Sequence, residues 1–178
     1  NKIFMITNRT HQIRHNRTIR FVKNNLEKGS SILDLGTKNI LSNKLSKQGF
    51  KVENTKGEDL DIDFLKYSDN KLDCVTAFEI FEHMLAPFNI LKNLKNKKLI
   101  ASVPLNLWFA DSYWNKDDNW DKHYHEFEPR QFNLLLNRTG WVIKKNEFWK
   151  SPDNSKIGIR PLLRNFYYRY YIVYCERD

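Results

Sequence analysis

Short apolar segments alternate with amphipathic ones along this chain, and that alternation restricts its possible folds more than any other feature. The apolar segments have the length and residue types of buried strands, and they are residues 31–36, 50–54, 60–64, 72–78 and 98–105. Because alternating strands and helices favour parallel pairing, the sequence predicts an α/β fold. We expect a mostly parallel, twisted sheet with helices on both faces.

Helical periodicity fills the intervals between these strands. The helical segments are residues 13–26, 40–48, 79–94 with a break at Pro87, and 129–140. Residues 141–149 and 167–177 have the pattern of two closing strands. We expect a single domain over residues 1–178, with an N-terminal helical segment at 1–28 and an aromatic loop or lid at 106–128.

Composition limits the class of protein. The chain has 178 residues, of which 40% are hydrophobic and 29% charged, as in a folded rather than a disordered protein. No apolar run approaches the ~18 residues needed to cross a bilayer, so we expect no membrane partner. The first residues lack the apolar core and cleavage site of a secretory signal. Cys74 and Cys175 lie in apolar segments without metal-binding spacing, which predicts buried reduced thiols and a cytoplasmic protein.

The formal net charge of +9 indicates what the surface attracts. A charge of this sign attracts nucleic acid, an anionic membrane surface or a phosphorylated substrate. The densest basic cluster consists of His11, Arg14, His15, Arg17 and Arg20. This cluster is either a binding surface or the solvated face of a helix, and the sequence leaves both interpretations open.

The stretch ILDLGTKN ends the first strand with an acid and a glycine. A glycine there lets backbone amides approach a ligand, and a carboxylate can accept its hydrogen bonds. The later segments follow in a characteristic order: an acid-containing second strand, LDCVTAFEIFEHM, SVP, and H-x-F-x-P before a helix. In this order they resemble the class I S-adenosylmethionine-dependent methyltransferases over residues 12–150. The resemblance implies a Rossmann-like fold with an antiparallel final strand, and S-adenosylmethionine as cofactor.

Residues of this chain at positions that match the family's motifs are expected to contact the cofactor. The resemblance implies that these residues contact S-adenosylmethionine: Asp34, Gly36, Asn54, Asp61, Asp63, Phe64, Phe78 and Glu79. The chain departs from the family at Thr37 and Lys38, where further glycines are usual, and at Asn54, where an acid usually binds the ribose. These departures motivate one alternative to an enzyme, a non-catalytic interaction module on the same fold.

The stretch FEIFEHM places Glu79, Glu82 and His83 on one face if it is helical. In one interpretation they are structural, with Glu79 favouring the helix start. In a second, they bind a divalent cation, Mg²⁺ or Mn²⁺, and HYHEFEP supplies His125, or His123, as the fourth ligand. E-x-x-E-H with H-x-F-E resembles metal-dependent small-RNA 2′-O-methyltransferases, and E-x-x-E-H alone resembles quinone-biosynthesis O-methyltransferases. In a third, His83 or His125 is a catalytic general base.

These observations together predict an enzyme that methylates a hydroxyl oxygen of a small molecule. RNA 2′-O-methylation is the alternative, favoured by the basic charge and by H-x-F-E. The aromatic residues of the 106–128 loop form either a lid over the acceptor or a small core of the loop itself.

Overall fold

The computed structural model describes the backbone of residues 2–152 and 157–178, and the side chains of these residues from His11 onward. Asn1 and residues 153–156, which fall within the expected domain, lie outside the described residues. The helices are α1 (Lys2–Asn25), α2 (Ile40–Lys47), α3 (Leu65–Ser68), α4 (Pro87–Asn93), α5 (Pro129–Arg138) and α6 (Ile159–Leu163), with a 3₁₀ turn at Phe81–His83. The strands are β1 (Ser31–Asp34), β2 (Lys51–Asn54), β3 (Cys74–Phe78), β4 (Lys98–Pro104), β5 (Val142–Lys150) and β6 (Tyr168–Glu176).

The strands form one sheet in the order β2-β1-β3-β4-β6-β5. Pairing is parallel from β2 through β4 and antiparallel on both sides of β6, so the last strand runs opposite to the other five. Leu33 lies beside Val75, which lies beside Leu99. The predicted Rossmann-like α/β fold with an antiparallel final strand is confirmed.

Adjacent strand residues face opposite sides of the sheet and build two cores, since side chains alternate along a strand. Leu33 of β1 and Ala101 of β4 belong to the core covered by α4 and α5. Ile32 and Ile100, their neighbours in sequence, belong to the core covered by α1 and α2. Helices therefore cover both faces, as the near-continuous apolar strands predict.

Asn39 fixes the start of α2, directly after the turn that follows β1. Its Oδ1 accepts hydrogen bonds from the N–H groups of Leu41 at 2.8 Å and Ser42 at 3.1 Å. Ser42 Oγ in turn accepts from the N–H of Asn39 at 2.9 Å, which completes a capping box. The cap sets where the first residues of α2 meet the carboxyl end of the sheet.

The strand expected at residues 60–64 is wrong. The segment is a series of turns, in which the N–H of Asp61 donates to Asp59 Oδ1 at 3.0 Å and the N–H of Asp63 donates to the Asp59 carbonyl at 2.7 Å. Aspartate side chains that bind nearby backbone compete with strand pairing, and the apolar alternation did not reveal this. β2 is therefore one edge strand of the sheet, with β5 at the other edge.

The helix expected from residue 79 to the break at Pro87 is also wrong. Glu79 has a φ of 57°, and only the 3₁₀ turn at Phe81–His83 follows it. The N–H groups of residues 85–86 donate to the carboxylate of Asp61 rather than to a helical carbonyl. α4 begins at Pro87, where proline is suited to a helix start. The premise that Glu79 and Glu82 share a helix face therefore fails.

Candidate functional site

The carboxyl ends of β1, β3 and β4 border a cavity of about 290 Å³, where ligands bind in sheets of this kind. The strands contribute Asp34, Phe78 and Ser102 to its wall. The turn after β1, the start of α2, the residue after β3 and the helix α1 contribute the others: Leu35, Asn39, Ile40, Leu41, Glu79, Arg14, His15 and Thr18. The first turn and α1 thus meet at one cavity.

Asp34 organises the turn that follows β1. Its buried carboxylate accepts hydrogen bonds from Thr76 Oγ1 at 2.7 Å and from Asn54 Nδ2 at 3.0 Å. Burial raises the pKa of Asp34 to about 6, because the charged form loses its water, although the two hydrogen bonds act in the opposite direction. Asn54 holds Asp34 but is not part of this cavity wall; it lines a neighbouring pocket with Thr37 and Lys38.

Gly36 is required in this turn for its backbone conformation. Its φ is 111°, a region that residues with a Cβ rarely adopt. A Cβ here would lie 2.9 Å from Ile80 Cδ1. The N–H of Gly36 donates to Thr55 Oγ1 at 2.8 Å, and its carbonyl accepts from Asn54 Nδ2 at 3.2 Å. These contacts close the first turn. Gly36 is its only glycine, because Thr37 and Lys38 occupy the next two positions.

Glu79 stands where β3 ends and lines the cavity in a left-handed conformation that is unusual for a glutamate. Its carboxylate accepts a hydrogen bond from Ser102 Oγ at 2.8 Å and lies 3.6 Å from Arg14 Nη1. The Arg14 guanidinium in turn lies 5.5 Å from the ring centre of Tyr170, within range of a cation–π contact. Arg14 thus connects α1 to the end of β3 and to β6.

The three remaining cofactor candidates lie in the segment before α3 and outside the cavity wall described above. Asp61 uses its carboxylate to accept the N–H groups of residues 85–86, at 2.8 and 2.7 Å. Asp63 forms an ion pair with Lys66 at 3.0 Å. Phe64 is partly buried against the core covered by α4 and α5. Their contact with a cofactor stays a prediction from the resemblance.

Glu82, His83 and His123 form a second group of polar side chains. One potential ligand atom from each lies within 4.8 Å of the other two. Within the described residues, this is the one group of three or more His, Cys, Asp or Glu side chains whose ligand atoms come this close. Glu82 is fully buried, and neither carboxylate oxygen has a hydrogen-bond partner. Burial, followed by the charge of Glu79, raises the pKa of Glu82. A carboxylate buried without a donor calls for a proton, a cation or water.

The two imidazoles of this group are oriented by their Nδ1 atoms. His83 Nδ1 lies 3.0 Å from the carbonyl oxygen of Lys122, which can only accept, so this nitrogen carries the proton. His83 Nε2 is thereby left with a free lone pair and lies 3.9 Å from Glu82 Oε1. His123 Nδ1 lies 3.3 Å from Glu126 Oε1. Burial, followed by the proximity of His123, lowers the pKa of His83, which keeps the ring neutral.

Two members of the predicted metal set lie outside this group. Glu79 contacts Ser102 and Arg14, as described above, and His125 Nε2 lies 3.3 Å from the Leu85 carbonyl oxygen. The backbone of the 106–128 loop is nevertheless hydrogen-bonded to this region, because the N–H of His125 donates to the Glu82 carbonyl at 3.2 Å. The structure therefore brings together Glu82 and His83 with His123, the residue that the sequence offers only as an alternative to His125.

Sequence reasoning missed the contribution of α1 to the cavity. Arg14, His15 and Thr18 line the wall, yet they are not among the predicted cofactor residues. The basic cluster of the N-terminal segment was the available signal, since Arg14 and His15 both belong to it. A basic cluster alone does not indicate which side of a helix faces a ligand, whereas the packing of α1 on the sheet does.

Comparisons with known proteins identify a matching family and structures of similar fold. The model of a methyltransferase domain family matches residues 5–146. A Listeria monocytogenes protein named as an S-adenosylmethionine-dependent methyltransferase has a similar structure, with a TM-score of 0.63 and 12% identity over 93% of this chain and 98% of that one. No curated protein sequence matches the chain.

Two further solved structures have the same fold. An S-adenosylmethionine-dependent methyltransferase from Archaeoglobus fulgidus gives a TM-score of 0.59 at 15% identity, covering 99% of this chain and 100% of that one. Magnesium protoporphyrin IX methyltransferase from Synechocystis, solved with bound S-adenosylhomocysteine, gives a TM-score of 0.58 at 12% identity. The match covers 100% of this chain and 88% of that one. The family match extends over most of the chain, from α1 into β5. The chain belongs to this methyltransferase domain family, and it has the fold of S-adenosylmethionine-dependent methyltransferases.

Proposed function

We propose that this protein transfers a methyl group from S-adenosylmethionine to a hydroxyl oxygen of a small molecule. The observation that carries the proposal is the 290 Å³ cavity at the carboxyl ends of β1, β3 and β4. Asp34, Phe78 and Glu79, three positions that match cofactor contacts of the family, meet there. The Arg14 guanidinium in the same wall suits the carboxylate of the methionine part of the cofactor.

Transfer to a hydroxyl needs a base as well as a methyl donor. The methyl carbon leaves the sulfonium sulfur as its bond to the hydroxyl oxygen forms, giving a methyl ether and S-adenosylhomocysteine, and the hydroxyl proton must leave. Without a bound cation, we propose that His83 accepts this proton, because its ring is neutral and its Nε2 has a free lone pair. His125 is the second candidate for the base, with an Nε2 contact to a backbone carbonyl.

The group of Glu82, His83 and His123 also fits a divalent cation. It offers one carboxylate and two imidazoles, a donor set that favours Mn²⁺ over Mg²⁺. Each imidazole has an outer partner for its Nδ1, as metal-binding histidines usually do. A bound cation would also supply the missing partner of the Glu82 carboxylate. In this proposal Glu79 and His125 flank the ligands rather than join them.

Melting temperatures measured with Mn²⁺ and with chelator test the cation site. Binding to the folded protein alone raises the melting temperature. We expect this increase in the unaltered protein and its loss in His123→Ala, whereas His11→Ala in α1 should retain it. Equal increases in both variants would place the ion elsewhere.

Calorimetric titration with S-adenosylhomocysteine tests the cofactor site. Glu79→Gln removes a charge from the cavity wall and should weaken binding, while Glu27→Gln, an exposed site after α1, should not. If the unaltered protein binds nothing at millimolar concentrations, with or without Mn²⁺, both enzyme proposals fail. The interaction module then becomes the better account of the chain.

RNA is the second candidate acceptor, and a groove between α1 and α2 favours it. Its lining includes four basic side chains: Arg20, Lys23, Lys44 and Lys47. Such a groove suits the phosphates of a nucleic acid backbone. Methyl transfer assayed in parallel on RNA and on small hydroxyl compounds distinguishes the two, and RNA methylation abolished by Lys44→Gln with Lys47→Gln would favour RNA.

A reducing compartment, the cytoplasm, is part of the proposal. Cys74 and Cys175 are free and buried on β3 and β6. Burial raises the pKa of the Cys175 thiol to about 12 and shifts that of Cys74 in the same direction, so both stay protonated and unreactive.

A further inference from the structure

The segment between β5 and β6 presents large apolar side chains to solvent. Ile159, Leu162 and Phe166 are 77%, 59% and 67% exposed. Their spacing of three and four residues places them on one side of α6 and of the turn that continues it. Trp108, 73% exposed, extends this surface, since its ring centre lies 6.3 Å from that of Tyr167. We call these five side chains the apolar patch.

Two arginines flank the apolar patch. Arg160 and Arg164 are four residues apart and alternate with the apolar positions of the same segment. Within the described residues, neither has an ion-pair partner within 4.0 Å. Residues 157–168 contain no aspartate or glutamate. The surface is therefore both apolar and cationic.

The apolar patch lies near the carboxyl ends of the parallel strands, where the cavity also lies. α6 connects the end of β5 to the start of β6. The first residues of β6 lie beside the carboxyl end of β4, with Tyr170 opposite Pro104 and Ile172 opposite Ser102. Ser102 is part of the cavity wall. A surface that binds the apolar patch would therefore lie on the same side as the mouth of the site.

We propose that the apolar patch docks on the surface of an anionic lipid bilayer. Isoleucine, leucine and phenylalanine beside arginines suit the boundary between headgroups and acyl chains, and tryptophan and tyrosine prefer that depth. Arg160 and Arg164 match anionic headgroups. A second copy of the chain fits less well, because a two-fold contact would bring these arginines together. RNA fits less well because branched aliphatic side chains do not stack on bases.

Surface docking is compatible with the rest of the chain. Among the described residues, no helix is both long and apolar enough to cross a membrane. The sequence-based expectation of no membrane partner rested on that criterion alone, whereas an interfacial surface needs only a shallow apolar face.

Co-sedimentation with vesicles of phosphatidylcholine and phosphatidylglycerol tests the proposal. The unaltered protein should bind these vesicles and should bind pure phosphatidylcholine much less. Replacing Ile159, Leu162 and Phe166 together with serine should lower the partition coefficient about tenfold or more. Arg160→Gln with Arg164→Gln should lower it about fivefold per charge.

A matched triple variant controls for general loss of apolar surface. Leu134, Val142 and Ile62 are comparably exposed but scattered over other elements, so their replacement with serine should leave binding unchanged. Unchanged thermal unfolding of both triples confirms that they fold. Failure of the unaltered protein to prefer phosphatidylglycerol overturns the proposal, as does full binding by the Ile159, Leu162 and Phe166 triple. Neither result bears on methyl transfer, because vesicle binding is measured without cofactor.

Discussion

Replacement of Asp34 with asparagine should stabilise the protein increasingly as the pH rises. Burial raises the pKa of Asp34 to about 6 from an ordinary value of 3.8. The stability that this group contributes is therefore complete below pH 3.8 and is lost as the pH rises through about 6. The difference between the two pKa values corresponds to at most about 3 kcal/mol at neutral pH. Asparagine carries no charge, yet it can accept from Asn54 Nδ2 and donate to Thr76 Oγ1.

Urea unfolding of both proteins between about pH 4 and about pH 8, without cofactor, measures this effect. Other titrating groups act equally in the two proteins and cancel in the difference. The free energy of unfolding of Asp34→Asn minus that of the unaltered protein should rise across this range. A constant or falling difference for Asp34→Asn would refute the reasoning about its burial.

Three further substitutions test the contacts around the site by urea unfolding. Gly36→Ala introduces a Cβ at a positive φ, 2.9 Å from Ile80 Cδ1, and should lower the free energy of unfolding by about 1–3 kcal/mol. It should also weaken S-adenosylhomocysteine binding. Unchanged stability would contradict the turn geometry. Thr55→Val removes the acceptor of the Gly36 N–H and should cost about 1–3 kcal/mol, whereas Thr55→Ser should cost much less. Arg169→Met leaves the buried Glu126 carboxylate without its guanidinium and should cost about 3–5 kcal/mol, and a loss below about 1 kcal/mol would argue against that pair.

The strands were predictable where local composition is sufficient to specify them. β1, β3 and β4 are short runs of apolar residues buried on both faces, so their pattern in sequence is strong. β2 was predicted from the alternation of apolar and polar residues at 50–54. The antiparallel closing pair followed from the family resemblance, and β5 and β6 confirm it.

The segments that failed depend on contacts between distant residues. Asp61 accepts the N–H groups of residues 85–86, more than twenty positions away, and that contact prevents a regular helix before Pro87. Asp59 binds the backbone of its own segment, which replaces a strand with turns. Periodicity considers each segment alone and therefore does not detect either contact.

The residues of the candidate site also divide into those that the sequence predicts and those that depend on distant contacts. Asp34, Phe78 and Glu79 follow from their position at strand ends, and all three line the cavity. Arg14 reaches the cavity because α1 packs across the sheet, a relation that its own sequence does not specify. His123 rather than His125 meets Glu82 because of how the loop folds, although the two histidines are only two residues apart.

A crystal structure of the protein with S-adenosylhomocysteine tests the central claim most directly. We predict that the ligand occupies the cavity at the ends of β1, β3 and β4, with its homocysteine carboxylate beside Arg14 and its sulfur near Phe78 and Glu79. A ligand bound elsewhere on the chain would contradict this account, as would an empty cavity in crystals grown at saturating ligand.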